Sequence, residues 1–284
     1  MMNRILLCCD LDRTVLPNGH QPESPGVREL FARLAGFDDI LLAYVSGRDK
    51  VLLLEAIEEY QIPVPDYAIG DVGTTMYRIH DGNWSQMDSW EKHIAEDWLN
   101  TGPEQIQHYL DDFEQLQLQQ AEKQGKFKLS YYAPTESDTG ALLKNIEQRL
   151  HDNAIRANLI WSIDETKNIG LLDILPARAN KLHAIEFLIT QTGCVKSNTV
   201  FAGDSGNDLP VIVSDIPSVL VKNATSEVRN QALSTIKQNG NSRSVYFSQG
   251  NFHELNGNYA AGIIEGLVHY HPELDERLAQ LVTV

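Results

Sequence analysis

Two short segments, far apart in the chain, constrain it most: Cys9-Asp10-Leu11-Asp12-Arg13-Thr14 and Gly203-Asp204-Ser205-Gly206-Asn207-Asp208. Each places two carboxylates at the end of an apolar run, Ile5–Cys9 in one case and Thr199–Ala202 in the other. A continuous apolar run of that length reads as a strand buried on both faces of a parallel sheet. Sheets of this kind bind ligands at the carboxyl ends of their strands. Acids delivered to one edge repel each other unless a cation sits among them. The pattern therefore points to a divalent-metal site built for phosphate chemistry.

The rest of the N-terminal stretch supports such a sheet. Ser24-Pro25 reads as a helix cap followed by proline at the first helical position, and Val27, Leu30, Phe31 and Leu34 follow at helical spacing. Asp39–Val45 is a second apolar run, ending in Ser46-Gly47-Arg48 before a helix to about Tyr60. Tyr67–Gly70 is a third, followed by a turn at Asp71-Val72-Gly73-Thr74-Thr75. Alternating strands and helices with short connections predict an α/β fold with a doubly wound parallel sheet. Near His80 the chain becomes richer in Gln, Trp and charge. Phe127–Tyr132 alternates like an antiparallel strand, and Ala141–His151 reads as an amphipathic helix. The first pattern is expected to resume near Ile169–Pro176, with a helix over Lys181–Thr190 and strands at Thr199–Ala202 and Ser218–Val221. The expected organisation is a Rossmann-like core of residues 1–79 and 171–284, interrupted by an α/β insertion over 80–170.

With 284 residues, 42% of them hydrophobic, the chain can bury a sizeable core. A net charge of −16 argues against nucleic acid or an anionic membrane as partner, and leaves local Lys, Arg and metal to attract an anionic substrate. Cys8, Cys9 and Cys194 make no disulfide framework. No apolar run is long enough to span a membrane, and Met1-Met2-Asn3-Arg4-Ile5 leads straight into a strand. A cytoplasmic protein is expected.

The chemistry follows from residue types. Asp10 can attack phosphorus and form an aspartyl-phosphate, dividing one hard displacement into two easier ones. Asp12 can serve as acid for the leaving alcohol and then as base toward water, with Thr14 supporting the loop. The same two aspartates can also simply cap a turn. Asp204 and Asp208 offer hard oxygen ligands suited to Mg²⁺; Asp208 can equally be a helix-dipole partner. Ser46, at a strand end before a helix, is placed for a phosphate oxygen or for an ordinary cap. Gly47 and Arg48 continue that turn as candidate substrate contacts, Arg48 being either an added charge there or solvated surface, and Asn207 is either a loop hydrogen-bonder or a substrate contact. Lys181 falls in the first turn of its helix, where a cation opposes the dipole. A lysine that neutralises Asp10 and a phosphate would explain the exception; a solvated surface lysine is the alternative.

In this order Asp10-Leu11-Asp12-Arg13-Thr14, Ser46, Lys181 and Gly203 to Asp208 resemble the four motifs of haloacid dehalogenase-like phosphatases. The resemblance implies a Rossmann-like core, Mg²⁺ dependence, Asp10 as nucleophile and Asp12 as acid and base. It implies Ser46 and Lys181 on the phosphoryl group, and Asp10, Asp12 (through its carbonyl), Asp204 and Asp208 around the metal. The insertion is similar to a type II cap that governs substrate choice. Lys128-Leu129-Ser130-Tyr131-Tyr132, Asp173-Ile174-Leu175-Pro176 and the tail Asn258-Tyr259-Ala260-Ala261-Gly262-Ile263 look most like sucrose-6-phosphate phosphatases. Arg13 departs from the Gly or Asn of many relatives. By the same resemblance Lys128, Arg178 and Asn207 would touch the sugar, although Lys128 can equally be a cross-strand charge partner; Phe252 and Tyr259 are expected to pack the final helix rather than bind sugar. The substrate implied is sucrose 6-phosphate or another compatible-solute precursor: mannosylfructose, glucosylglycerol or mannosylglycerate phosphate. A non-catalytic sugar-phosphate-binding partner of a glycosyltransferase is the alternative from a different class, and a functional association with such a transferase is a further expectation.

Overall fold

A computed structural model describes residues 4–135, 138–164, 166–240, 244–250 and 252–282. Met1–Asn3, which enter the expectation about the chain start, lie outside the described residues. The strands are β1 (Ile5–Cys9), β2 (Ile40–Val45), β3 (Tyr67–Gly70), β4 (Thr75–His80), β5 (Asn83–Gln86), β6 (Gln117–Leu118), β7 (Leu129–Pro134), β8 (Ala157–Asp164), β9 (Ile169–Pro176), β10 (Thr199–Gly203), β11 (Ser218–Leu220) and β12 (Val245–Phe247). The helices are α1 (Val27–Ala35), α2 (Lys50–Tyr60), α3 (Asp88–Ala95), α4 (Pro103–His108), α5 (Thr139–Asp152), α6 (Lys181–Thr192), α7 (Leu209–Ile212), α8 (Ser226–Asn239), α9 (Ala260–Tyr270) and α10 (Leu274–Val282). They fall into two compact units, Met1–Gln86 with Lys181–Val284, and Met87–Asn180.

The first unit carries an eight-stranded sheet in the order β12-β11-β10-β1-β2-β3-β4-β5. Strands β12 through β3 run parallel, and β4 and β5 complete the edge antiparallel. β1 and β10 lie side by side at the centre, with Leu7 opposite Val200 and Cys9 opposite Ala202. All five residues of β1 and all five of β10 are buried. The unbroken apolar runs thus mark strands covered on both faces. α9 is buried at every position from Ala260 to Val268, so it lies within the core. A Cβ on Gly266 would collide with the Val219 side chain of β11, and only glycine lets the helix approach that closely. Tyr259 is fully buried and Phe252 packs against the same core, in line with their expected role in seating this helix.

β4 and β5 form a hairpin that belongs to this sheet, although the change in composition near His80 suggests a boundary there. The signal for it is Asp81-Gly82, between the paired residues His80 and Asn83. Both turn residues have positive φ (49° and 74°), the requirement of a tight two-residue hairpin.

The second unit carries a four-stranded antiparallel sheet in the order β6-β7-β9-β8. Here the structure corrects the reading of Ile169–Pro176 as the return to the core. That segment is β9, paired with β7 on one side and β8 on the other, with Leu172 opposite both Tyr131 and Trp161. Its apolar character comes from a central position in this sheet, and a short apolar run does not reveal which sheet it joins. The units therefore divide at 86/87 and 180/181, where the sequence reading places the breaks at 79/80 and 170/171. Among the described residues no helix is long and apolar enough to cross a membrane.

Candidate active site

Three strand ends and one helix start build the site, all within the first unit. β1 delivers Asp10, whose N–H donates to the Ala202 carbonyl at 2.9 Å and so extends the β1–β10 ladder by one rung. β2 delivers Ser46, anchored by its N–H to the Ile69 carbonyl of β3 at 2.9 Å. β10 delivers Asp204, and α6 begins at Lys181.

The Lys181 ammonium joins the two distant segments. Its Nζ lies 2.6 Å from Asp10 Oδ1, 2.6 Å from Asp208 Oδ1 and 3.3 Å from Asn207 Oδ1. Burial opposes the charge on Lys181, but Asp208 and Asp10 outweigh it and hold the amine protonated well above its usual range. Asp208 uses its second oxygen on the loop itself, accepting the N–H groups of Asp204 and Ser205 and the Ser205 hydroxyl at 3.0–3.1 Å. The chain can pass this carboxylate only as glycine: a Cβ on Gly203 would stand 2.6 Å from Asp208 Cγ.

Asp10, Asp204 and Asp208 are all buried, and each offers an oxygen within 4.8 Å of the others. Burial pushes the Asp10 carboxyl upward, with Asp208 and Asp204 adding repulsion that Lys181 only partly offsets. Asp204 is raised to about 6, first by burial and then by Asp208. Three crowded carboxylates with this excess of negative charge suit a hard divalent cation. The donor set here fits one.

Around this cluster the loop after β1 folds back on itself. Asp12 does not join the three acids. Its carboxylate accepts Nε and Nη2 of Arg48 at 2.9 and 2.7 Å and Nδ2 of Asn18 at 2.7 Å. Arg48 holds the Asp12 carboxyl below its ordinary range, with Asn18 assisting against partial burial. Thr14 donates to Asp204 Oδ1 at 3.4 Å. Ser46 Oγ accepts the Arg48 N–H at 3.2 Å, and a Cβ on Gly47 would meet nothing within 4 Å. The turn after β3 supports Arg48 from behind, with the Asp71 N–H on the Arg48 carbonyl at 2.9 Å. Asp71 and Val72 both have positive φ there, and for the β-branched Val72 (φ 59°) that is a strained backbone.

Two residues expected near a sugar lie in the second unit with partners of their own. Lys128 Nζ is 3.5 Å from Asp173 Oδ2, an ion pair between β9 and the residue just before β7. Arg178 donates through Nη1 to Glu96 Oε2 and the His93 carbonyl, both at 2.8 Å, and its Nε lies 3.6 Å from the buried Asp97. The sequence reading misses Asn18, for which Pro17-Asn18-Gly19 offers only a turn signal, and it notes Arg13 as a departure without showing its target, Asp204.

A family model described as sucrose-6F-phosphate phosphohydrolase matches residues 3–271. The chain belongs to this family. It is therefore a haloacid dehalogenase-like phosphatase by descent, and its relatives agree. It is 52% identical over 273 residues to a protein of Nitrosococcus oceani named only as a HAD-like hydrolase, covering 96% of this chain and 73% of that one. It is 27% identical to sucrose-phosphatase 1 of Nicotiana tabacum, over 94% of this chain and 59% of the relative, so it spans little more than half of that plant protein. Identity to the mannosylfructose-phosphate phosphatase of Agrobacterium fabrum is 30%, over 93% of this chain and 96% of that one. Among solved structures, the sucrose-phosphatase of Synechocystis sp. PCC6803 in complex with sucrose and phosphate shares the fold. The TM-score is 0.70, with 24% identity over 95% of this chain and 99% of that one.

Proposed function

We propose that this family member is a Mg²⁺-dependent phosphomonoesterase that hydrolyses a sugar phosphate through an aspartyl-phosphate on Asp10, with sucrose 6-phosphate as substrate. The observation that carries the reading is the Lys181 bridge between the buried carboxylates of Asp10 and Asp208, with Asp204 in the same cluster. In this scheme an Asp10 oxygen attacks phosphorus as the P–O bond to the sugar breaks, and the departing oxygen takes a proton from Asp12. Water then attacks the same phosphorus, Asp12 accepts its proton, and the bond to Asp10 breaks to free phosphate. Lys181 and Ser46 would hold the phosphoryl oxygens, with Thr14, Gly47, Arg48 and Asn207 around them. Asp10, Asp204, Asp208 and the Asp12 carbonyl would hold Mg²⁺, which supplies charge neutralisation between two anions. The inserted unit would act as the cap that selects the sugar.

Mannosylfructose phosphate is a second candidate substrate, favoured by the 30% identity to its phosphatase over nearly the full length of both chains. The test is phosphate release from sucrose 6-phosphate, mannosylfructose phosphate and simple hexose phosphates, with Mg²⁺ or EDTA, and with Asp10→Asn as control. Mg²⁺-dependent release that prefers one disaccharide phosphate and vanishes in Asp10→Asn supports the reading. Release that survives Asp10→Asn in contaminant-free protein overturns the mechanism.

A further inference from the structure

Arg13 occupies a backbone conformation that an arginine rarely takes, with φ 62°. It is held there from both sides. Its N–H donates to Asn18 Oδ1 at 2.8 Å, and its carbonyl accepts Asn223 Nδ2 at 2.6 Å. The guanidinium returns to the same residue, Nη2 donating to the Asn223 carbonyl at 3.3 Å. Asn223 is itself buried and fixed, its Oδ1 accepting the Tyr259 N–H at the start of α9. A side chain restrained at both ends is aimed by the fold.

Its target is Asp204, with Nε 3.3 Å from Oδ2. Nε is buried yet makes no hydrogen bond, so the contact is one of charge without directional bonding. A hydroxyl hydrogen bond to Asp204 comes from Thr14, on the other oxygen. Lys181 serves Asp10 and Asp208, and Arg13 places a positive charge beside the third acid of the cluster.

We propose that Arg13 is a positioning residue that tunes how tightly the Asp10–Asp204–Asp208 cluster holds its divalent cation, by fixing a permanent positive charge on Asp204. The inference rests on the proposed reading of that cluster as the metal site. A guanidinium beside a ligand oxygen repels the incoming ion and offsets the charge that would attract it, so the native site is weaker and exchanges faster than the three acids alone would allow.

The test is calorimetric titration of Mg²⁺ into the metal-stripped full chain without substrate. Arg13→Asn suits the positive φ and cannot reach Asp204; Arg13→Gln is a second neutral variant, and Arg13→Lys keeps the charge. Both neutral variants are expected to bind Mg²⁺ about fivefold more tightly, a half-exposed charge being partly screened. Arg13→Lys should stay closer to the native chain, and the gap should narrow at about 0.5 M salt. Unchanged or weaker binding in the folded neutral variants overturns the proposal. Asp204→Asn separates the two readings. If it abolishes Mg²⁺ binding while the Arg13 variants do not tighten it, only the role of Arg13 falls. If Asp204→Asn binds as the native chain does, the metal-site reading falls and the role of Arg13 with it.

Discussion

Arg48 closes a two-pronged ion pair on Asp12, Nε to Oδ2 at 2.9 Å and Nη2 to Oδ1 at 2.7 Å. A fork of this kind holds the carboxylate ionised and fixes its plane. It suits Asp12 as a base toward water. It opposes Asp12 as an acid, because a carboxyl group that is to donate a proton must first leave the guanidinium. In the proposed scheme the dianionic phosphoryl group of a substrate would compete for Arg48, and its binding would release Asp12 for proton transfer.

Asp12→Asn should therefore separate the two chemical steps. With p-nitrophenyl phosphate, whose leaving group needs no proton, the variant is expected to release about one equivalent of nitrophenol per site and then stall, since no base activates water. Steady-state release from a sugar phosphate should fall by roughly 10²–10⁴-fold. Rapid-quench kinetics with trapping of the acyl-phosphate on Asp10 checks this. Steady turnover without a burst would remove Asp12 from the second step.

Metal should stabilise the protein, and most strongly above pH 6. The Asp204 carboxyl is raised from 3.8 to about 6 in the fold. Between those values the folded chain binds more protons than the unfolded one, so this group's contribution to stability falls as pH rises through that window. Its carboxylate form is penalised by on the order of 2–3 kcal/mol above pH 6 in the metal-free protein. A bound divalent ion reverses that term, and saturation at about 100 times Kd adds roughly 2.7 kcal/mol. Thermal melts with Mg²⁺ and with EDTA are expected to diverge at pH 7.5 and converge near pH 4.5. Equal melting temperatures at every pH would contradict a metal on these acids.

How much of this was legible follows from where each signal lives. Ile5–Cys9 and Thr199–Ala202 are short enough, and apolar enough, to read as central strands, and the acids after them fall at one edge by topology alone. Lys181 stood out because it breaks a local rule of helix starts. The burial of β9 in the inserted sheet was not legible, because a buried strand looks the same in either sheet. The partner of Arg13 was not legible either. Its contact spans to Asp204 and Asn223, and no local pattern encodes a pairing across that separation. Arg178 shows the converse: a basic residue at a suggestive place is committed to Glu96, Asp97 and the His93 carbonyl.

Gly203→Ala should disable the site with modest cost to the fold. The new methyl would stand 2.6–2.8 Å from Cγ, Oδ2 and Cβ of Asp208, so that side chain must move. Asp208 bonds Lys181 with one oxygen and the loop with the other, so the displacement reaches Asp10 through the ammonium. Misplacement on the scale of 1 Å costs about 10²-fold in rate, and overpacking costs about 1–3 kcal/mol in stability. Phosphate release and urea denaturation of the same preparation check both figures. Native activity in the folded variant would show that the position of Asp208 does not matter to the chemistry.

Glu265 offers a test of the core remote from the reacting groups. It lies inside the largely apolar α9, only 4% exposed, and its two oxygens accept the Gln249 N–H, the Gly250 N–H and the Tyr246 hydroxyl at 2.8–2.9 Å. The carboxylate thus ties the loop after β12 to the buried helix. Glu265→Ala strips all three donors of these bonds and leaves a cavity, at an expected cost of about 2–4 kcal/mol. Glu265→Gln keeps one acceptor for the Gln249 N–H and Tyr246, but sets an amide N–H₂ against the Gly250 N–H. It should therefore fall between the native chain and Glu265→Ala. Urea melts of the three proteins decide the order. A Glu265→Gln variant as stable as the native chain would mean that the second oxygen contributes nothing, and that the link to Gly250 is incidental to the fold.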